Sequence, residues 1–324
     1  MSKAIVIHKP GGPEALAYEE RELPPPGPGE ARVRHKAVGI NYIDIYHRSG
    51  LYPVATPFTP GSEAAGVVEA VGEGVDHLRL GDHVCYIGPI GSYAEERNIP
   101  ADMLIPVPED ISLEVAAASI LKGLTVCYLL EMTAEPKPGE TIVFHSAAGG
   151  VGQIAVQWAK SLGLRVIGTV GSTEKAAAAK GLGCDEVIDI RANPDFASKV
   201  RELTGGKGVG VVYDSVGRDT FEASLGCLRP RGLMVSFGNS SGPASLPNVG
   251  LLMSKGSLYL TRPTLFHYFV DRASSIAGSE RLWDKLRSGA VSINIGQTWP
   301  LAEAGKAHAA LAGRQTKGST LLMP

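Results

Sequence analysis

The spacing of hydrophobic positions changes twice along the chain. Over the first 110 residues they come as short runs broken by proline and glycine. Runs at 4–7, 31–40, 64–71, 82–86, 92–99 and 104–107 predict β-strands. Pro24-Pro25-Pro26-Gly27-Pro28-Gly29 is a loop that neither a helix nor an inner strand accommodates. An irregular β domain is expected here. From Ser112 the spacing becomes helical towards Glu131, with a break expected at Lys122-Gly123. Strands and helices then alternate. Strands are predicted at 141–145, 165–170, 186–190, 209–214, 233–237 and 257–261, with helices at 151–162, 173–182, 196–203 and 220–228. Six strands with intervening helices predict a doubly wound α/β domain with a parallel sheet. The tail returns to another texture, with helices at 269–288 and 301–312 and strands at 293–299 and 319–322. Assigned to the first domain, it makes the α/β domain an insertion: residues 1–124 plus 265–324 around 125–264.

Composition narrows the function classes. Lys plus Arg number 31 and Asp plus Glu 33, for a net charge of −2. A strong nucleic-acid binder needs a large positive footprint, so none is expected. The four cysteines, Cys85, Cys127, Cys184 and Cys227, form no CxxC pair and predict neither a disulfide framework nor a zinc ribbon. The apolar run 4–7 is too short for a signal peptide, and no run of 18 uncharged apolar residues predicts a membrane span. A cytoplasmic protein without membrane insertion is the expectation. Glycine, at 40 residues, exceeds the roughly 23 of an average chain this long. The excess calls for tight turns or close backbone approach.

One such approach lies after the strand at 141–145. Ser146-Ala147-Ala148-Gly149-Gly150-Val151-Gly152 opens a helix, with the spacing of a dinucleotide fingerprint whose first glycine is Ala147. Gly149 and Gly150 let backbone approach a pyrophosphate, and Gly152 lets the helix pack close to the strand. The helix N-terminus, at Val151 and Gly152, presents free N–H groups. A plain tight turn is the alternative. About 20 residues on, an NAD site carries an acid for the ribose 2′-hydroxyl. Here Gly171-Ser172 stands there, followed by Lys175. A hydroxyl and an ammonium suit a 2′-phosphate, so NADPH is the expected cofactor. A solvated helix residue is the alternative for Lys175, and the neighbouring Glu174 would oppose a phosphate unless it points away. Ligands of such sheets bind at the strands' carboxyl ends. Ser215, Phe237-Gly238-Asn239-Ser240 and Thr261-Arg262-Pro263 are therefore further cofactor-binding candidates.

Several motifs resemble one superfamily. Gly61-Ser62-Glu63-Ala64-Ala65-Gly66-Val67-Val68 and Ala147-Ala148-Gly149-Gly150-Val151-Gly152 resemble signatures of the medium-chain dehydrogenases/reductases. Its zinc alcohol dehydrogenases carry a histidine ligand where Ser62 stands and a cysteine ligand where Asn41 stands. Serine and asparagine are poor zinc ligands beside imidazole and thiolate, and no metal is expected. Further stretches, Gly39-Ile40-Asn41-Tyr42-Ile43-Asp44, Arg48-Ser49-Gly50-Leu51-Tyr52-Pro53, Lys122-Gly123-Leu124-Thr125 and Tyr213-Asp214-Ser215-Val216-Gly217, are similar to the zeta-crystallin-type quinone oxidoreductases. The resemblance implies a GroES-like catalytic domain around an inserted Rossmann domain. It implies NADPH contacts at Asn41, Thr125, Val151, Gly152, Ser172, Lys175, Ser215, Phe237, Asn239, Ser240, Arg262 and Arg314. Asn41, Thr125 and Arg314 rest on the resemblance alone. Ile190 stands where some relatives have a tyrosine that could flank the adenosine.

The implied chemistry is metal-free reduction of quinones, by hydride or by single-electron steps. A quinone accepts hydride without a Lewis acid because its product anion is aromatic and delocalised. Asn41, Tyr46 and Tyr52 are the candidates for the substrate pocket. A phenol, with a reference pKa of about 10, donates rather than abstracts a proton at neutral pH. Ordinary packing of both tyrosines is the alternative. Two other functions stay open: reduction of an α,β-unsaturated carbonyl, with Tyr52 as proton donor, and a non-enzymatic role, since relatives bind AU-rich RNA or serve as lens crystallins. A homodimer is expected, paired through the outer strand 257–261.

Overall fold

The computed structural model describes all 324 residues. The strands are β1 (Ser2–Val6), β2 (Ala17–Arg21), β3 (Glu30–Gly39), β4 (Glu63–Val71), β5 (His83–Ile87), β6 (Glu96–Pro100), β7 (Ile105–Pro106), β8 (Thr141–Phe144), β9 (Arg165–Val170), β10 (Glu186–Asp189), β11 (Val209–Asp214), β12 (Leu228–Ser236), β13 (Tyr259–Thr261), β14 (Ile295–Pro300) and β15 (Ser319–Met323). The α-helices are α1 (Tyr42–Ser49), α2 (Leu113–Tyr128), α3 (Gly150–Ser161), α4 (Thr173–Gly181), α5 (Phe196–Leu203), α6 (Phe221–Cys227), α7 (Gly250–Ser254), α8 (Arg272–Arg287) and α9 (Ala304–Ala312).

Two compact units divide the chain. The first comprises Met1–Leu124, Phe269–Asp284 and Ile293–Pro324; the second comprises Thr125–Tyr268 and Lys285–Ser292. The first is a GroES-like β unit. Its main sheet has the order β14-β15-β3-β4-β5-β7, with β6 also on β3, and β1 pairs with β2 apart from it. In β3 buried and more open positions alternate until its last residues, which are all buried, so one face of the strand meets the core. The tail enters this sheet through β15, antiparallel to β3 at Leu321–Gly39 and Leu322–Val38. Ile5, Val33, Val68, Tyr86, Tyr93, Leu104 and Leu322 belong to the core beneath.

The second unit is a parallel sheet of order β10-β9-β8-β11-β12-β13. Numbered along the chain this is 3-2-1-4-5-6, the doubly wound order with its switch point between β8 and β11. One core cluster joins Val143, Ile167, Phe196, Val212, Leu225 and Met234. Trp158 of α3 is fully buried, and its indole N–H donates to Glu131 Oε1 at 2.6 Å.

Some local expectations are corrected. No break occurs at Lys122-Gly123: α2 runs unbroken and ends in a π-helical turn, Leu129–Thr133. Gly123 is there for packing, since a Cβ would come within 2.6 Å of the Leu282 side chain. The stretch Leu113–Thr133 is long and apolar enough to cross a membrane, but it is largely buried inside the protein. The strand expected at 233–237 begins earlier, at Leu228, and its register with β11 shifts at a bulge. The strand expected at 257–261 begins at Tyr259, because Ser257 has a left-handed φ of 54°. Strand β2 and helix α7 carry no run or period that the sequence pattern picks out.

Candidate functional site

In the second unit the predicted residues gather along the carboxyl edge of the parallel sheet. After β8 the chain turns at Ser146, which holds a left-handed φ of 56°. Ala147 N–H donates to Thr169 O (3.0 Å) and Gly149 N–H to Ser146 O (2.8 Å), closing the loop against β9. Gly149 caps α3 in an extended conformation, and Gly150, Val151 and Gly152 form its first turn. A Cβ on Gly152 would lie 2.2 Å from Ser146 O and 2.6 Å from Ala147 O, so only glycine lets the helix start this close to the strand. The first N–H groups of such a helix lack intrahelical acceptors and carry its positive dipole end. The loop therefore fits a pyrophosphate by its construction.

After β9, Gly171 faces open space and Ser172 caps α4, its hydroxyl oxygen accepting Lys175 N–H at 3.3 Å. The cap uses a lone pair and leaves the hydroxyl hydrogen to donate. Lys175 lies in the first turn of α4, half-buried. No carboxylate occupies Gly171 or Ser172. The third strand ends in Asp189, whose Oδ1 accepts Arg191 N–H at 3.0 Å.

The loops after β11 and β12 are stitched together. Phe237 N–H donates to Asp214 O (2.8 Å), Ser240 N–H to Ser215 O (3.2 Å) and Ser241 N–H to Val216 O (2.9 Å). Gly238 belongs to this contact, with its Cβ position 2.4 Å from Ser215 O. The Phe237 ring packs on Phe144 at 5.7 Å, and Asn239 is buried. Thr261 ends β13. Arg262 follows, its guanidinium donating to Ser236 O at 2.9 Å, with Pro263 next to it. Thr125, buried within α2, opens this unit.

Asn41, Tyr46, Tyr52 and Arg314 belong to the first unit. Asn41 is the N-cap of α1, and its N–H donates to Asp44 Oδ2 at 2.8 Å. Its amide Nδ2 donates to Glu63 Oε1 at 2.8 Å. Tyr46 and Tyr52 meet edge to face at 5.2 Å, and Tyr52 N–H donates to Tyr46 O at 3.1 Å. Tyr46 is buried and Tyr52 half-buried. Tyr42 lies 6.3 Å from Tyr46 and donates its hydroxyl to Leu311 O. Burial raises the Tyr42 phenol pKa, and the nearby Arg314 guanidinium partly offsets this.

Around Asn41 lies a buried polar network that the sequence pattern does not pick out. Glu63 is fully buried, pairs with the Lys122 ammonium, and accepts Leu121 N–H at 2.9 Å. Asp44 also accepts from Tyr93 OH (3.1 Å) and Ser62 Oγ (3.4 Å). Tyr93 OH meets His308 Nε2 at 2.8 Å, and Arg48 reaches His308 Nδ1 at 3.2 Å. Burial pushes the Asp44 carboxyl up to about 7. Burial, helped by Arg48, pulls His308 down to about 3. Asp44, Arg48, Glu63 and Lys122 lie inside the motif stretches, and Tyr93 and His308 lie outside them.

Ser62 and Asn41 do not fit a zinc ion. Their side chains are spent on Asp44 and Glu63, and no group of three His, Cys, Asp or Glu side chains is placed to hold a metal.

Comparison with known proteins agrees with this architecture. Residues 27–109 match the family model "Alcohol dehydrogenase GroES-like domain", and residues 150–278 match "Zinc-binding dehydrogenase". The chain is 51% identical to a quinone oxidoreductase of Pseudomonas aeruginosa, with all of both chains covered. It is 47% identical to a 2-haloacrylate reductase of a Burkholderia species, covering all of this chain and 99% of the relative. A crystal structure of Escherichia coli quinone oxidoreductase complexed with NADPH superposes with a TM-score of 0.97 at 50% identity, covering 99% of this chain and all of the other. The chain belongs to the quinone oxidoreductase family of the medium-chain dehydrogenases/reductases.

Proposed function

We propose that this protein reduces quinones at the expense of NADPH without a metal ion. The observation that carries the cofactor half is the carboxyl end of β9. A phosphate-type loop lies beside it, and Gly171-Ser172 with Lys175 stand where an NAD site would place an acid. The Ser172 hydroxyl donates to a 2′-phosphate and Lys175 supplies the opposite charge. The first turn of α3 holds the pyrophosphate, and the loops at Ser215, at 237–240 and at 261–263 line the remaining strand ends. Bound NADPH would supply the hydride. Asn41, its amide plane set by Glu63, and the Tyr46–Tyr52 pair position the acceptor. The phenols pack against its ring and donate to a carbonyl oxygen. Support for a quinone comes from the relatives named quinone oxidoreductase at about half identity over the full chain.

A second reading has specific support in the 2-haloacrylate reductase relative. In it, an activated alkene takes the hydride and Tyr52 protonates the α-carbon. Initial rates with a panel of quinones and 2-alkenals, each with NADPH and NADH, decide. A faster quinone reaction with NADPH is expected. A clearly faster alkenal reaction would replace the first reading by the second. Salt-sensitive RNA binding with no NADPH oxidation by any acceptor would replace both.

Two further properties belong to this proposal. The protein works as a homodimer in which β13, one of the two edges of the parallel sheet, pairs across a twofold axis. Exposed Tyr259 on that strand and exposed Val249 and Met253 of the preceding α7 segment support a covered edge. It resides in the cytoplasm, in keeping with four buried free thiols. A monomer by sedimentation would contradict the dimer.

A further inference from the structure

Beneath the carboxyl edge of the parallel sheet lies a closed polar cluster that the proposed chemistry does not use. His145 follows β8, Thr169 is on β9, Asp214 ends β11, Thr220 precedes α6, and Ser224 lies on it. None is more than 1% exposed. Thr169 Oγ1 lies 2.7 Å from His145 Nδ1, and His145 Nε2 lies 2.9 Å from Ser224 Oγ. Ser224 and Thr220 both donate to Asp214 Oδ2, at 2.9 and 2.7 Å.

The proton order follows from the chemistry of the groups. Ser224 spends its hydrogen on the Asp214 carboxylate, so towards His145 it can only accept. His145 therefore carries its proton on Nε2, and Nδ1 accepts from the Thr169 hydroxyl. Burial holds the His145 pKa below the ordinary imidazole value, which keeps the ring neutral and this one-way chain intact. It runs Thr169 to His145 to Ser224 to Asp214, with every member satisfied.

Its ends hold backbone at the cofactor edge. Asp214 Oδ1 accepts the N–H groups of Val216 (2.7 Å) and Gly217 (3.0 Å), which sets the turn after Ser215. The Asp214 carbonyl accepts Phe237 N–H, and the Thr169 carbonyl accepts Ala147 N–H of the glycine loop. In the 3-2-1-4-5-6 order, β8 to β10 form one mononucleotide-binding half and β11 to β13 the other. His145 sits at the switch point and hydrogen-bonds into both. A hydrophobic side chain would fill the same space without the cost of burying polar groups, so the cluster calls for a purpose other than packing.

We infer that His145 is a positioning residue that couples the two halves of the dinucleotide site, holding the glycine loop and the Ser215 turn at the spacing a dinucleotide needs. The inference rests on the dinucleotide reading of this edge. A ligand that fills one half gains nothing from the coupling, whereas a dinucleotide does.

The test compares dissociation constants for NADPH and for adenosine 2′,5′-bisphosphate, which occupies only the β8 to β10 half. The full chain is used as wild type, Ser224→Ala, His145→Leu and His145→Gln, each checked for its thermal midpoint. Ser224→Ala cuts the link to Asp214 and leaves Thr220 in place. It and His145→Leu are expected to weaken NADPH about tenfold, about 1.4 kcal/mol, with the half ligand changed less than twofold. His145→Gln, which can accept and donate at similar positions, is expected to recover most of the loss. Equal weakening of both ligands, or no change in a folded Ser224→Ala protein, would overturn the inference. Should wild type bind NADH more tightly than NADPH, the cofactor assignment fails. The coupling is then read in the same way with NADH and AMP.

Discussion

The two units bury polar groups in opposite ways. The GroES-like unit buries several ionisable groups together: Glu63 with Lys122, Asp44 with Tyr93, and Arg48 with His308. The parallel-sheet unit buries one carboxylate, Asp214, and surrounds it with hydroxyls, a neutral imidazole and backbone N–H groups. In the first, the Glu63–Lys122 pair and its buried polar neighbours surround Asn41. In the second, dipoles fix the spacing of loops. The first arrangement should be sensitive to charge and pH, and the second to hydrogen-bond geometry.

The largest expected effect breaks the ion pair. Glu63→Ala leaves the Lys122 ammonium buried without its partner, and about 3–5 kcal/mol of stability should be lost in urea titrations. The paired change Glu63→Gln with Lys122→Met should return much of it. Asp214→Asn keeps an oxygen for the Val216 and Gly217 N–H groups and should cost less, about 1–3 kcal/mol. A larger loss from Asp214→Asn than from Glu63→Ala would reverse the comparison.

Next comes pH. The Asp44 carboxyl in the fold sits near 7, above its unfolded value near ~3.9. Between these values the native state binds the extra proton, so this contribution is fully present below about pH 4 and is lost as pH rises through 7. His308, held near 3, acts in the opposite sense: the unfolded chain binds its proton below about 6.5, so its contribution falls as the pH drops from there towards 3. Asp44→Asn should remove the decline of stability that Asp44 contributes between about pH 4 and pH 7. An unchanged slope would remove Asp44 from this account.

A smaller effect separates the cofactor edge from both cores. Lys175→Ala should weaken NADPH about tenfold or more, the scale of a charge-assisted hydrogen bond. NADH binding and the urea midpoint should barely move. Equal loss for both cofactors would contradict the 2′-phosphate assignment. Smallest of all, Tyr52→Phe removes one hydrogen bond to the quinone carbonyl and should lower quinone turnover about threefold, with a larger loss for a 2-alkenal, which needs a proton on carbon.

The parallel-sheet unit was the more legible in sequence. Apolar runs of regular length alternate there with helical periods, and strands 165–170 and 209–214 fall where the pattern puts them. The glycine loop is contiguous, so its spacing can be read directly. Most strands of the GroES-like unit are legible in sequence, but β2 and the buried network are not. Asp44 of α1, Glu63 of β4, Tyr93 of the loop before β6, Lys122 of α2 and His308 of α9 are scattered over 265 positions, and only the folded unit brings them together. A charged residue read alone looks solvent-facing, and nothing in its spacing announces that Lys122 is buried on Glu63. Gly123 misled for a related reason: a glycine that breaks a helix and one that admits Leu282 look the same in sequence. His145 was visible as the end of an apolar strand, but its partners Thr169, Ser224 and Asp214 are not its neighbours in the chain.

The most direct test of the central claim is the ratio of kcat/KM for NADPH over NADH with a quinone acceptor, measured on metal-stripped wild type and on Lys175→Ala. A large ratio in wild type that collapses in Lys175→Ala, with quinone turnover unaffected by chelation, is the predicted result. A ratio near one in wild type, or turnover restored only by added zinc, would contradict it.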